Sequence, residues 1–558
     1  MGGDSGGRLH AFRSLAGNRA LVRVLAGYAL FVLTEYSAWI AILVFAYSHG
    51  GATVAGVVAV AQLVPGAVLA PVMAAIADRR SPVVLLAGGY LVQAAGLAAA
   101  ATAFFAGVPV AVYVCAVIAC VAQTTIRPAQ SALVPSVAAT ADQLTAVNVV
   151  VSWLESAGMV TSGLLAGVLI SLAGVGSVFV LCAGLSTVAT LLAAGMRLTF
   201  APPREGSPAV LGDVAQGLRL TVRQPRLRVM LALLTAESVV AGALDLLFVI
   251  LAVSVLGRSE AWAGYLNSAY GAGAVLAATA GAILVGRRLG APILGAALLA
   301  SAALAALGFG VGLAATVALL AVAGAASTLL DVALRTLLQR SVPLELMGRV
   351  FGVLEGLTMA GYALGAILVP LLVHLGGSRL ALIGAAVVLP LSAVVGGRAL
   401  FVLDAEVPVP VVEIALLRSL PLFAELPAPA IEGLAAALAS VHVPAGTVLI
   451  RQGDQGEAYY AIAAGELDAW QDGHFLRRCG RGEGVGEIAL LRAIPRTASV
   501  IAHTSATVYR LNREPFLTAV LGHAATQQLA DRIADTRLAT DAAPGDGDSQ
   551  RGPNGIGS

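Results

Sequence analysis

The sequence predicts an all-α membrane domain of about twelve transmembrane helices in two six-helix repeats, followed by an α+β domain with a small β-barrel. Hydrophobic residues make up 58% of the chain and charged residues only 11%, whereas charged residues usually contribute about a quarter. The apolar runs end near residue 402, and short runs with a period of two follow them. The chain therefore contains at least two domains, one of which lies in a membrane.

The domain boundaries follow from where the apolar runs begin and end, since a span needs about 20 apolar residues. Two sets of such runs are separated by one polar stretch. The predicted segments are a cytoplasmic N-terminus (1–19), a first six-helix half (20–196), a cytoplasmic loop (197–227), a second six-helix half (228–402), a linker (403–412), the barrel domain (413–538) and a disordered tail (539–558).

The distribution of arginine predicts the orientation in the membrane. Most arginines, such as the pairs at 79–80 and 287–288, fall on one side, and the other side shows little beyond Arg258 and Arg379. Because basic residues are retained on the cytoplasmic side, both termini and the barrel domain are expected in the cytoplasm, at a bacterial inner membrane. A net charge of +2 predicts no nucleic-acid partner.

The two halves carry matching motifs. The stretch Arg127-Pro-Ala-Gln-Ser-Ala-Leu-Val-Pro135 has a counterpart in Arg335-Thr-Leu-Leu-Gln-Arg-Ser-Val-Pro343. In both halves a glutamate follows in the next span, Glu155 in the first and Glu355 in the second. Two six-span halves with matching motifs are typical of a transporter built from repeats, whose site lies between the halves near the membrane midplane.

At these residues, over about 20–402, the chain resembles the major facilitator superfamily, and within it the bacterial drug and siderophore exporters. The resemblance implies a secondary transporter. The loop motif of that family between spans two and three survives as Ala74-Ala-Ile-Ala-Asp78-Arg79-Arg80. The Asp78-Arg79 pair of this cytoplasmic gate is kept, whereas its glycines and the basic residues that follow are not.

Charged residues within spans are candidates for function because they are costly in the bilayer. The transport or coupling candidates are Glu35, Glu237 and Asp245, in the first and seventh spans, which line the central cavity in the resembled family. Glu35 is expected to lie alone in mid-span. A carboxylate there could attract a cationic substrate or carry a coupling proton.

The other charged residues of the spans favour gating or structural ion pairs over direct substrate contact. Asp331 and Arg335 are four residues apart, so they can pair along one helix. Arg127 and Glu155 lie on adjacent spans and are expected to pair near the cytoplasmic end. The gating and ion-pair candidates are Asp78, Arg79, Arg127, Glu155, Asp331, Arg335 and Glu355.

Beyond the linker the sequence predicts short strands joined by tight turns, as at Gly453-Asp454 and Asp472-Gly473. The stretch Val485-Gly-Glu-Ile-Ala-Leu-Leu-Arg-Ala-Ile-Pro-Arg-Thr497 combines a flexible glycine, a carboxylate, the start of a short helix and an arginine. A helix start and an arginine both suit an anion such as a phosphate. The predicted binding residues are Val485, Gly486, Glu487, Ile488, Ala489, Leu490, Arg496 and Thr497.

This region, over about 413–538, resembles the cyclic nucleotide-binding domain of cAMP and cGMP sensors. The resemblance implies that Arg496 binds the cyclic phosphate and that Glu487 accepts from the ribose 2′-hydroxyl. Val485 stands where that family usually has phenylalanine. The expected regulatory ligand is cAMP, with cGMP left open, and no other cofactor or metal is expected.

Together these features predict a proton-coupled exporter of small amphiphilic molecules that is regulated by cytoplasmic cAMP. No P-loop sequence for ATP is present, and no nucleophile–base set indicates an enzyme. The alternative is a membrane-anchored cyclic-nucleotide receptor that does not transport. Charged residues in the first and seventh spans favour the transporter, since a receptor has no reason to retain them.

Overall fold

The computed structural model describes residues 18–77, 81–137, 141–196, 219, 224–280, 287–342, 344–406, 411–424, 426, 428–521 and 532. The Asp78-Arg79 pair and the predicted tail (539–558) therefore lie outside the described residues. So do nearly all of the N-terminal segment (1–19) and most of the loop between the halves (197–227).

The membrane domain is α-helical, as predicted, and nine helices of the described ranges are long and apolar enough to cross a membrane. A further helix, of 19 residues, lies between the sixth and the seventh of these nine. The helices are α1 (Arg19–Ala77), α2 (Pro82–Phe105), α3 (Pro109–Val137), α4 (Ala141–Ala173), α5 (Val175–Ala194), α6 (Pro225–Ile250, extended by a π-helical turn, Leu251–Val255), α7 (Trp262–Ala280), α8 (Gly290–Leu307), α9 (Leu313–Ser341) and α10 (Leu344–Glu406).

Two of these helices are each divided into two spans by a glycine pair. In α1 the break falls at Gly50-Gly51, and in α10 it falls at Gly376-Gly377. The second glycine of each pair has a positive φ, +61° at Gly51 and +73° at Gly377, a conformation that side chains disfavour. Counted this way, the described helices form the predicted twelve spans: α1 supplies the first and second, and α10 the eleventh and twelfth.

The barrel domain contains two antiparallel sheets, which confirms the predicted α+β class. Their strand orders are β1-β8-β3-β6 and β2-β7-β4-β5. One apolar cluster lies between the sheets, and a second packs the helices against β3 and β8. The elements are α11 (Val411–Ser419), α12 (Ala428–Ala437), β1 (Ala439–Val443), β2 (Val448–Ile450), β3 (Ala458–Ala464), β4 (Leu467–Gln471), β5 (His474–Cys479), β6 (Gly484–Val485), α13 (Glu487–Arg492), β7 (Ser499–Ala502), β8 (Ala506–Asn512) and α14 (Arg513–Leu521).

The connection between the two domains is shorter than the predicted linker (403–412). Helix α10 continues to Glu406, and α11 begins at Val411. Asp404, expected in the linker, lies in the last turn of α10 and is only 4% exposed. Its carboxylate accepts hydrogen bonds from two main-chain N–H groups at the start of α8. These bonds satisfy the buried carboxylate, so a charged residue is tolerated within the helix.

Candidate transport cavity and nucleotide site

A cavity of about 560 Å³ lies between the two halves of the membrane domain. This volume falls within the range of small-molecule sites, about 300–1,000 Å³. Six aromatic side chains line it together with aliphatic residues: Tyr36, Trp39, Phe179, Phe248, Tyr270 and Tyr362. The charged residues in its wall are Glu35, Arg127, Asp245 and Glu355. The cavity therefore combines apolar walls with an excess of carboxylates.

In the first half, one arginine joins three spans. Arg127 of α3 donates to Glu35 of the first span at 2.8 Å and to Glu155 of α4 at 2.9 Å. Tyr28 donates to Glu155 and accepts from Arg127. The predicted pair of Arg127 and Glu155 is thus present. The expectation that Glu35 lies alone was wrong, because spans one and four meet at this height and bring Arg127 to it.

The second half is arranged differently. Arg335 of α9 donates to Asp331 of the same helix at 2.7 Å, as the spacing predicted. Glu355, the counterpart of Glu155, is exposed and lines the cavity. Asp245 also lines the cavity, whereas Glu237 is half-buried outside its wall. Among the described residues, no cation forms an ion pair with Asp245.

The two halves touch at one end of the cavity, at the ends of spans farthest from the arginine-rich side. Tyr47 and Ser254 share a hydrogen bond of 2.7 Å between the first and seventh spans. A side chain at Gly264 of α7 would lie 2.4 Å from the carbonyl oxygen of Gly163 in α4. This end is therefore closed by direct backbone contact, which only very small residues allow.

Sequence reasoning missed Tyr28 and the aromatic wall. Tyr28 precedes Glu35 by two helical turns, so helical spacing alone places both on one face of the first span. Tyr36 and Trp39 follow Glu35 in the same helix. The aromatic residues contributed by α5, α6, α7 and α10 carry no comparable local signal, because only the packing of the helices brings them together.

The predicted nucleotide site lies between β6, α13 and the chain that leads into β7. Gly486 connects β6 to α13 with a φ of +95°, and a side chain on it would lie 2.5 Å from Nη1 of Arg496. Glycine is therefore required here for its conformation and its size. The turn brings Glu487, only 3% exposed, next to Arg496.

Arg496 is held by main-chain oxygens. Its Nη1 donates to the carbonyl of Gly486 at 2.7 Å, and its Nη2 donates to the carbonyl of Ala458 at 2.6 Å. A guanidinium has five N–H groups, and the other three have no hydrogen-bond partner among the described residues. Burial lowers the pKa of Arg496 from its ordinary value, but an arginine remains charged at neutral pH. The site thus presents an oriented cation.

The remaining predicted residues divide between packing and the surface of the site. Val485 is buried and pairs with Tyr460 of β3, so valine fills the place expected for phenylalanine in the core between the sheets. Ala489 packs on Gly456, and Thr497 is half-buried beside Arg496. The buried members of α13 are Glu487, Ile488, Ala489 and Leu490. A buried carboxylate and an oriented guanidinium suit a ligand that carries a hydroxyl and a phosphate.

Comparison with known families agrees with both parts of the chain. The family described as Major Facilitator Superfamily matches residues 24–358, which is more than half of the chain. The family described as Cyclic nucleotide-binding domain matches residues 440–523. The two families are not enzymatic.

Individual relatives match short stretches of this chain. A cAMP-dependent protein kinase regulatory subunit from Aspergillus niger is 38% identical over 104 residues, covering 18% of this chain and 25% of the relative. Uncharacterized protein Rv0104 of Mycobacterium tuberculosis is 36% identical over 98 residues, covering 18% of this chain and 19% of the relative. This chain therefore spans only about a quarter or less of these relatives.

Among solved structures, the regulatory domain of Toxoplasma gondii PKA with cAMP is 25% identical to this chain. It covers 25% of this chain and 56% of that structure, with a TM-score of 0.22.

Proposed function

We propose that this chain, which belongs to the major facilitator superfamily, exports small amphiphilic molecules in exchange for protons and is regulated by cAMP. The observation that carries the proposal is the presence of two separate sites in one polypeptide. One is an aromatic cavity with carboxylates between the transporter halves. The other is an oriented, buried arginine in a cyclic nucleotide-binding domain. The first site serves the substrate and the second the regulatory ligand.

The charges of the cavity support a substrate with a positively charged group. Glu35 is compensated by Arg127 at 2.8 Å, whereas Asp245 and Glu355 are further carboxyl groups in the wall. Aromatic faces attract organic cations, and Trp39, Tyr270 and Phe248 share the cavity with Asp245. An amphiphilic cation can therefore place its charge near Asp245 and its apolar part against the rings.

The network around Arg127 supports proton coupling. Glu35 and Glu155 share a single arginine, so two carboxylates face one cation. A proton that binds one carboxylate relieves this excess of negative charge and releases part of the contact between the spans. Glu35 is the better candidate for the coupling proton because it also lines the cavity, where substrate and proton can compete.

The proposed regulatory ligand is cAMP, with cGMP as the second choice. The three free N–H groups of Arg496 suit a cyclic phosphate, and the carboxylate of Glu487 suits a ribose hydroxyl. Ligand can shift the transporter only if it binds its two conformations with different affinity. The arginine asymmetry supports a cytoplasmic barrel domain, and the proposed location is a bacterial inner membrane.

The test uses the full-length protein in proteoliposomes, with ethidium as the organic-cation probe and an imposed pH gradient. We expect the gradient to drive ethidium transport and cAMP to change its rate. Calorimetry on the same preparation measures cAMP binding. Binding without any gradient-driven transport of ethidium or of other amphiphilic cations would instead favour a receptor that does not transport. Absence of cAMP and cGMP binding would contradict the regulatory part.

A further inference from the structure

The last turn of α10 is bonded to the first turn of α8. Asp404 accepts from the main-chain N–H of Leu289 at 2.8 Å and from that of Gly290 at 3.1 Å, using one carboxylate oxygen for each. The first N–H groups of a helix have no partner within the helix, and a negative charge there is favoured by the helix dipole. Asp404 therefore fixes the end of the twelfth span to the start of the ninth.

The contact is tightly packed as well as hydrogen-bonded. A side chain on Gly290 would lie 3.0 Å from Cδ1 of Phe401, one turn before Asp404, and 3.3 Å from Oδ2 of Asp404 itself. Arg340, near the end of α9, donates to the carbonyl of Arg287 at 2.9 Å. The segment that opens α8 is thus held by α10 on one side and by α9 on the other.

The position of this contact in the chain gives it significance. Asp404 lies in the final turn of α10, which ends at Glu406, and the barrel domain begins with α11 at Val411. Any displacement of the barrel domain reaches the membrane domain by covalent connection through this turn. If the last turn of α10 is fixed to α8, a displacement of that turn also moves α8. If the last turn were free, it would move alone and α8 would stay in place.

We propose that Asp404 is a positioning residue that transmits the nucleotide-dependent movement of the barrel domain to the start of the ninth span. This inference rests on the proposed regulation by cAMP. Through Arg287 and Arg340 the movement continues to α9, which carries Asp331 and Arg335. The nucleotide thereby acts on the second half of the transporter rather than on the first.

The experiment measures hydrogen exchange of the main chain at 287–294 in the full-length protein, with and without saturating cAMP. It needs no transport substrate. In the wild type, we expect cAMP to change this exchange rate by about fivefold, within the usual range of coupling between sites. In Asp404→Asn the change should disappear while calorimetry still shows wild-type affinity for cAMP.

A pair of glycine variants provides the matched control. Gly290→Ala pushes against Phe401 and Asp404 and should abolish the response as Asp404→Asn does. Gly295→Ala lies on the same helix, where a side chain meets nothing within 4 Å, and should respond as the wild type does. If Asp404→Asn does not fold, Gly290→Ala answers the same question.

The outcomes separate this inference from the proposed function. If cAMP does not bind the wild type, the proposed regulation fails and this inference fails with it. If cAMP binds and exchange at 287–294 does not change, only this inference is overturned. A response retained in both Asp404→Asn and Gly290→Ala would also overturn it.

Discussion

Two arginines organise the two parts of this molecule, and their partners differ in kind. Arg127 in the membrane domain donates to two carboxylates, Glu35 and Glu155. Arg496 in the barrel domain donates to two neutral carbonyl oxygens, those of Gly486 and Ala458. The positive charge of Arg127 is compensated within the protein, and the two carboxylates around it leave a net negative charge. In the second case the guanidinium is oriented and its charge remains available to an anion.

The acceptors around an arginine inside the protein, rather than the arginine itself, therefore indicate what its site can bind. Carboxylate partners leave a network that takes up a proton or a cation. Carbonyl partners leave a fork that takes up a phosphate. Variants that alter one site or the other therefore test this contrast.

The largest effect is expected from removing a charge at the membrane site. In Glu35→Gln the side chain can neither bind nor release a coupling proton. Proton-driven transport of ethidium in proteoliposomes should therefore fall to background. The affinity of the full-length protein for cAMP should stay within about twofold of the wild type, because additivity holds for distant sites. Wild-type transport rates for this variant under a pH gradient would remove Glu35 from the coupling mechanism.

At the nucleotide site the matching change is Arg496→Ala. Loss of a charged hydrogen-bond partner should weaken cAMP binding by about 2 kcal/mol or more, about 30-fold. Isothermal calorimetry on the full-length protein measures it. Arg478→Ala is the control, since this exposed arginine pairs with Asp468 in the same domain and should leave the affinity unchanged. Equal affinities in the two variants would refute the assignment of Arg496.

Stability distinguishes the two halves of the membrane domain. Arg127→Ala leaves the carboxylates of two other helices without their shared donor and should lower the free energy of unfolding by about 2 kcal/mol. Arg335→Ala removes a pair within one helix and should cost about 0.5 kcal/mol. Denaturant unfolding in detergent compares them. Equal losses would show that the network of the first half does not hold its spans together.

The smallest effect is expected at Glu487. Glu487→Gln keeps the size and one carbonyl acceptor while removing the charge, so cAMP binding should weaken by about 1 kcal/mol, roughly fivefold. Calorimetry at two salt concentrations measures it. A gain in affinity would mean that the negative charge of Glu487 opposes the phosphate more than it helps the ribose, and the assigned role would be wrong.

The sequence was sufficient where a feature depends on neighbouring residues. The spans, the pairing of Asp331 with Arg335 and the positions of Gly486, Glu487 and Arg496 all follow from local spacing or from a continuous motif. The sequence was insufficient where the packing of the helices determines which residues contact each other. Glu35 and Arg127 are 92 residues apart, and a helical pattern gives the face of a residue but not the height at which two helices meet.

The same limit explains the linker. Asp404 is charged, and a charged residue is expected after a span rather than within it. Its hydrogen-bond partners, Leu289 and Gly290, lie more than a hundred residues away in the chain. A terminal aspartate is a common way to bond the first turn of a helix, but usually from the same chain segment. Only the folded structure shows that the twelfth span supplies this residue to the ninth.

The glycine contact at the closed end of the cavity has a consequence for the resting state of the transporter. Gly163 and Gly264 approach so closely that even one methyl group on Gly264 would meet a backbone oxygen at 2.4 Å. A replacement there penalises only the conformation in which the two halves touch, since the side chain is free once they separate. The proportion of molecules open to either side of the membrane is therefore adjustable by a single carbon atom.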